Sequence, residues 1–231
     1  MNEIEALDLL KDPNTPRDII MQILNEVDKI VSPYIKKPLV YRNLNTKLSL
    51  KLSKGVRKSS IIEKCILHPN FDISLWKELL EKKSHLRNYK IVALFKRTDL
   101  PREAFETGVN MNRSVRREIA LNPSCPEHIL RQLMKDKDPL VRRRIAQNPS
   151  TPLEMLEELK NDDYAIYGLA ANPKLPLDWM QELVFHPEAE VRYNLCQNPS
   201  IPSSILFVLL NDSSDLVRKR AQLEYRNRSL K

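Results

Sequence analysis

The sequence predicts an all-α repeat protein of the solenoid class, and three observations carry that reading. Asn-Pro-x-x-Pro returns at Asn122–Pro126, Asn148–Pro152, Asn172–Pro176 and Asn198–Pro202, with asparagine intervals of 26, 24 and 26 residues. A period of that length marks supersecondary units that bury their apolar faces only by stacking on neighbours. Apolar residues on either side of the motif recur at helical spacing. The 231 residues contain three glycines against 16 prolines, which argues against hairpins and glycine-rich phosphate loops and for helices punctuated by proline turns. About seven to eight helix–turn–helix units of 24–26 residues would then tile the chain. Divergent units or a cap occupy 1–60, the regular stack 61–222 and a basic tail 223–231.

At the amino end, Met-Asn-Glu-Ile-Glu has neither a basic n-region nor an apolar h-region, and no apolar run reaches the roughly 18 residues that span a bilayer. A soluble, cytoplasmic protein with no membrane span is expected. Pro16 precedes Ile19, Ile20 and Ile23, a first copy of the repeat register. The stretch from Lys29 to Ser60 is the least regular. From Lys29 to Ile62 there are nine bases and no Asp or Glu. Leu44, Leu48 and Leu52 predict an amphipathic helix over 43–54 with Lys47, Lys51 and Lys54 on another side. Together with Lys36, Lys37, Arg42, Arg57 and Lys58, and with Tyr34 and Tyr41 available for stacking, these residues suit an anionic partner such as a phosphate backbone.

The register resumes with Ile61, Cys65 and Ile66, then Asp72 in the second-proline position ahead of Leu75, Trp76 and Leu79. Pro101 opens a weaker copy with Ala104 and Phe105. Four clear units follow. Before each Asn-Pro lies an i, i+4, i+5 cluster: Val115, Ile119, Ala120; Val141, Ile145, Ala146; Ala165, Leu169, Ala170; Val191, Leu195, Cys196. It predicts a helix of about two turns. Proline then ends it, because the residue before proline is pushed out of the α region. After each second proline come Ile129, Leu130, Leu133; Met155, Leu156, Leu159; Trp179, Met180, Leu183; and Ile205, Leu206, Leu209. These predict a longer helix of about three turns with proline at its first position and acids Glu154 and Asp178 at its positive end.

The run Val-Arg-x-x-Ile-Ala-x-Asn-Pro-x-x-Pro-x-x-(Ile/Met)-Leu-x-x-Leu, clearest from Val115 to Leu209, resembles the leucine-rich repeat variant family, a relative of HEAT-type α-solenoids. The resemblance covers 110–222 strongly and 1–109 weakly. It implies a right-handed superhelix of alternating α and short, partly 3-10 helices, and it implies no reaction. Some members carry a cysteine-rich iron–sulfur segment ahead of the repeats; this chain has no such cluster, and no cofactor or metal is expected.

Candidate chemistry is sparse. The three cysteines are too widely spaced for a disulfide framework or a CxxC metal site; Cys65 and Cys196 replace core residues and Cys125 precedes a helix-opening proline. The histidines fall in different units: His68 at an Asn position, His128 at an exposed one, His186 in the inter-helix loop with Asp136, Lys160 and Asp212, and His85 among charged residues. Trp76 and Trp179 hold core-facing positions, without the adjacent carboxylate that base-excision chemistry would need.

Arginine recurs as Arg116, Arg142, Arg192 and Arg218, interrupted by Ile166. Asp138 and Glu188 stand four residues before Arg142 and Arg192, where i,i+4 ion pairs are expected. Arg117, Arg143, Arg144, Lys219 and Arg220 have no such partners, and Arg226, Arg228 and Lys231 face only Glu224. The net charge of +8 and pI near 9.3 agree with an anionic ligand. The expected function is a non-enzymatic scaffold for an unidentified protein partner, without a small-molecule substrate. The alternative is nucleic-acid binding along a basic groove of the 29–62 segment with Arg117, Arg143, Arg144 and Arg220.

Overall fold

The computed structural model describes residues 1, 3–30, 58–81 and 87–229, which form fifteen α-helices and one 3-10 helix and, among the described residues, no strand. The amphipathic helix expected over 43–54 lies outside them. The chain divides into two compact units, Met1–Asp99 and Leu100–Lys231. The first holds α1 (Glu3–Leu9), α2 (Arg17–Ile30), α3 (Lys58–Leu67), the 3-10 helix Ile73–Leu75 running into α4 (Trp76–Glu81), and α5 (Arg87–Leu94).

The second unit holds α6 (Arg102–Gly108), then four consecutive pairs: α7 (Arg113–Leu121) with α8 (Glu127–Leu133), α9 (Pro139–Gln147) with α10 (Leu153–Leu159), α11 (Ala165–Ala170) with α12 (Leu177–Leu183), and α13 (Ala189–Cys196) with α14 (Ser203–Leu209). It closes on α15 (Asp215–Ser229). Helices of the same kind touch in series, α7 on α9, α9 on α11, α11 on α13 and α13 on α15. In the four clear units all the apolar positions of the periodic clusters are buried except Trp179, which is half-buried, as are Ile19, Leu75 and Trp76 of the weaker copies.

Two local expectations are corrected. The second proline of each motif is the N-cap, extended at φ −61 and ψ 142 for Pro126, rather than the first helical residue. It has no N–H to place in the helix and no side chain to cap it. The helices after the prolines are also the shorter ones in three of the four units: each has 7 residues, against 9, 9, 6 and 8 for those before Asn-Pro. The third turn is missing because the chain bends at Met134, Lys160, Val184 and Leu210 into the next inter-helix turn.

A helix that stops at proline leaves a carbonyl of its last turn, that of Ala120, Ala146 or Ala170, without a donor from its own backbone. The asparagine carbonyl beyond it accepts one backbone amide, as Asn122 O does from Cys125 N at 3.0 Å, and has room for a second donor. The next unit supplies it. Asn148 Nδ2 donates to Ala120 O and Asn122 O, both at 2.8 Å; Asn172 donates to Ala146 O and Asn148 O at 2.6 and 3.0 Å; Asn198 donates to Ala170 O and Asn172 O at 3.0 and 2.6 Å. Each side-chain oxygen meanwhile accepts the amide two residues on, from Ser150, Lys174 and Ser200, all at 2.8 Å. Asn148, Asn172 and Asn198 are completely buried.

Other residues take the same post where asparagine is absent. His68 Nδ1 accepts from Asn70 N at 3.1 Å, so Nε2 carries the proton and donates to Asp12 O at 2.9 Å. Arg97 Nη1 reaches Ile66 O at 2.5 Å and His68 O at 3.2 Å, the same two carbonyl positions an Asn takes. Arg228 covers the carbonyls of Asn198, Pro199 and Ile201. Residues 223–229, read as the start of a basic tail, continue α15, and this arginine closes the ladder rather than offering a free charge.

His68 and Asp12 lie 56 residues apart, whereas Asn148 and Asn122 lie 26 apart. Asn70 Nδ2 also donates to Pro13 O and Thr15 O at 3.1 and 3.0 Å, and Arg17 pairs with Asp72. The Pro16 and Asp72 copies are therefore ladder neighbours, and residues 31–57 are additional to the unit. They carry seven bases and no acid, leaving only +1 of the formal +8 for the rest of the chain.

Gly168 marks a close approach of two pre-proline helices, α9 and α11. A Cβ there would lie 2.0 Å from Arg143 O. Gly168→Ala should therefore lower the unfolding free energy by about 3 kcal/mol, because α9 and α11 must separate. Helix propensity alone would instead give a gain of about 1 kcal/mol. Urea unfolding distinguishes the two signs.

Candidate interaction surface

Three of the four recurring arginines pair forward into the next inter-helix turn, not back along their own helix, whereas Arg218 pairs with Asp215, three residues before it, at 3.2 Å. Arg116 Nε meets Asp136 Oδ2 at 2.5 Å, Arg142 Nε meets Asp162 Oδ2 at 2.6 Å, and Arg192 Nε meets Asp212 Oδ2 at 2.7 Å. Each also ties the turn before its own helix: Arg116 Nη1 donates to Met111 O at 2.7 Å, Arg142 to Asp136 O at 2.9 Å, and Arg192 to His186 O at 2.5 Å. Asp138, expected to pair with Arg142, instead holds Arg117 at 2.8 Å and caps Leu140 N at 3.0 Å. Asp162, not Lys160, is the equivalent of Asp136, His186 and Asp212. Lys160 pairs with Glu182 at 2.8 Å and lies over the Trp179 ring at 4.8 Å.

The carboxylates feel this placement. At Asp212 the Arg192 guanidinium outweighs burial and, with the Ser214 N–H, holds the carboxyl below its usual range. At Asp136 and Asp162 burial opposes ionisation, and the Arg116 and Arg142 hydrogen bonds with backbone amides overcome it, again lowering the pKa.

The bases expected to be unpartnered are also engaged. Arg117 pairs with Asp138; Arg143 reaches Glu190 at 3.0 Å and covers the Tyr167 ring at 5.1 Å. Arg144 lies 4.0 Å from Glu118, Arg220 2.8 Å from Glu224 and 5.9 Å from the Tyr193 ring centre, and Lys219 2.6 Å from Asp215. These residues share the pre-proline helices, but with carboxylates interleaved they make a neutralised face rather than a basic groove. Lys36, Lys37, Arg42, Lys47, Lys51, Lys54 and Arg57 lie outside the described residues. Lys58 opens α3, with its side chain outside them.

The cysteines are free and buried, and burial pushes all three thiols up to about 12; they are unsuited to nucleophilic work at neutral pH. His128 is exposed, and His85 lies outside the described residues. Among the described residues no group of three or more His, Cys, Asp or Glu could hold a metal, and no helix is long and apolar enough to cross a membrane.

Large apolar side chains stand in solvent where sibling units carry polar ones. Phe185 is 78% exposed at the position of Lys135, Asn161 and Asn211; Phe207 is 59% exposed at the position of Arg131, Glu157 and Gln181. Val208, next to Phe207 in sequence, and Leu216 are exposed as well. Grooves open between consecutive inter-helix turns, of about 430 Å³ beside Met134 and Leu159, about 530 Å³ beside Ile166 and His186, and about 320 Å³ beside Val208 and Asp212. Sequence reasoning missed this edge. The available signal was the Arg-to-Asp interval of 20 residues, kept at Arg116/Asp136, Arg142/Asp162 and Arg192/Asp212 and lost on both sides at Ile166/His186.

Asp212→Asn should cost about 3 kcal/mol at neutral pH, because it leaves a buried guanidinium without its counter-charge. The sign with pH follows from the lowered folded pKa: the stabilisation is complete above the unfolded carboxylate value of about 3.9 and is lost as pH falls through the folded value. Melting temperatures from pH 7 to 3 should fall less steeply for this variant than for the wild type. An equal fall would show that the pair does not govern acid stability.

The chain matches no protein-family model, no curated protein and no solved structure.

Proposed function

We propose that the chain is a non-enzymatic repeat scaffold that holds a protein partner along an extended surface, built as a right-handed α-solenoid of the leucine-rich repeat variant kind. One observation carries the reading. The charged and polar residues that recur are consumed in joining units, whereas Phe185 and Phe207 stand exposed at positions where every sibling unit carries a polar residue. Unit-specific apolar exposure on a repeated framework is what a protein interface uses, with its energy concentrated in a few buried anchors. Free, buried thiols accord with the cytoplasm as its compartment.

Affinity capture from the lysate of the source cells, at low and high salt, tests the reading. A partner held equally at about 50 and 500 mM salt, and lost on Phe207→Glu, supports an apolar interface. Absence of any stoichiometric partner contradicts it.

Nucleic-acid binding remains as a second reading because the positive charge is concentrated in residues 31–57. Oligonucleotide affinity should then fall steeply between about 50 and 200 mM salt, with a log–log slope near −0.9 per phosphate on duplex DNA. Lys47→Glu/Lys51→Glu/Lys54→Glu should abolish it. Salt-independent or absent binding removes this alternative.

A further inference from the structure

The arginine ladder has one vacancy, and the groove there has the features of a receptor for the missing group. Ile166 stands where Arg116, Arg142 and Arg192 stand, and His186 stands where Asp136, Asp162 and Asp212 stand. Both members of one ion pair are replaced together. His186 keeps only the turn-forming half of the aspartate's work, accepting from Glu188 N at 3.1 Å as Asp136 accepts from Asp138 N at 2.8 Å.

The groove bounded by Ile166 and His186 measures about 530 Å³, against about 430 and 320 Å³ for the sibling grooves whose aspartates, Asp162 and Asp212, are paired. Its rim is acidic. Asp163, exposed and with no ion-pair partner among the described residues, replaces Lys137 of one sibling unit; Glu182, 60% exposed, contributes a second carboxylate whose Oε2 is already held by Lys160. Phe185 forms one wall of this groove and of the next, offering an apolar surface on both sides.

We propose that this groove receives an arginine side chain of the protein partner, with a large apolar residue next to it in the partner packing on Phe185. The proposal rests on the protein-scaffold reading and adds the chemistry of the contact. A guanidinium suits the place because its planar fork binds carboxylates in a fixed geometry and it is weakly hydrated. The apolar neighbour supplies area that exposed ion pairs alone would not convert into affinity.

The test is an NMR titration of the isotopically labelled full chain with two probes, acetyl-Leu-Arg-Leu-amide and acetyl-Leu-Gln-Leu-amide. Saturable shifts centred on Asp163, Ile166 and Phe185 are expected with the arginine probe at millimolar concentration or below, and at least fivefold weaker binding with the glutamine probe. Ile166→Arg/His186→Asp rebuilds the sibling pair inside the groove and should remove the response. Asp163→Lys, an exposed change to the residue a sibling unit carries, should also remove it and guards against a folding defect in the double variant.

Equal binding of the two probes, shifts located elsewhere, or an undiminished response in Asp163→Lys would overturn the proposal. Capture of the lysate partner by the wild type and by the folded double variant alike would overturn the groove and leave the scaffold reading intact. Failure to capture any partner would remove the scaffold reading, while the probe titration would still judge the groove.

Discussion

The pre-proline helices α7, α9 and α11 each end with an alanine carbonyl, that of Ala120, Ala146 or Ala170, that its own backbone leaves without a donor, and the asparagine of the following unit provides one. Proline makes the problem, since it has no N–H and forces the preceding residue out of the α region. The asparagine before the next proline solves it with both ends of one amide, donating backward to two carbonyls and accepting forward to build its own turn. Buried polar groups are tolerable only when satisfied. This reciprocal arrangement ties the completion of one unit to the placement of its neighbour. It also shows why an imidazole at His68 and guanidinium groups at Arg97 and Arg228 succeed as substitutes: each brings an N–H donor to the carbonyl at the asparagine position of the unit before, that of Asp12, His68 and Asn198 in turn.

A second ladder runs beside the first. The Arg116, Arg142 and Arg192 guanidinium groups each bridge the turn before their helix and the aspartate of the turn that follows. Being partly buried and saturated with hydrogen bonds, these groups have little left for an outside ligand, so a stripe of arginine in the sequence does not become a stripe of positive surface. The neighbouring arginines are paired as well, and most of the net charge belongs to residues 31–57. What distinguishes one unit from another is then the exposed apolar material at Phe185 and Phe207 and the single interruption of the ion-pair series.

The core was legible from the sequence because burial in stacked helices imposes a period: the clusters from Val115 to Leu209 are buried as their spacing requires, Trp179 excepted. His68 at an Asn position was legible for the same reason. Arg97 was not, because its unit has lost both the asparagine and the first proline and leaves no motif to align. The ion pairs were misassigned because i,i+4 spacing within a helix was weighed and the 20-residue spacing between units was not. Counting Lys160 for Asp162 hid the series further. The groove at Ile166 could not be read from local pattern at all, since it arises from two residues that come together only when one unit is stacked on the next.

The most direct measurement is urea unfolding of Asn148→Asp, which keeps the size and the forward-accepting oxygen but replaces the backward donor with an acceptor facing the Ala120 and Asn122 carbonyls. If the amide ladder holds the stack together, stability falls by at least about 3 kcal/mol, since a buried charge then meets unpaired acceptors. A change within about 0.5 kcal/mol, the scale of an ordinary surface substitution, would show that apolar stacking alone joins the units and would contradict the account.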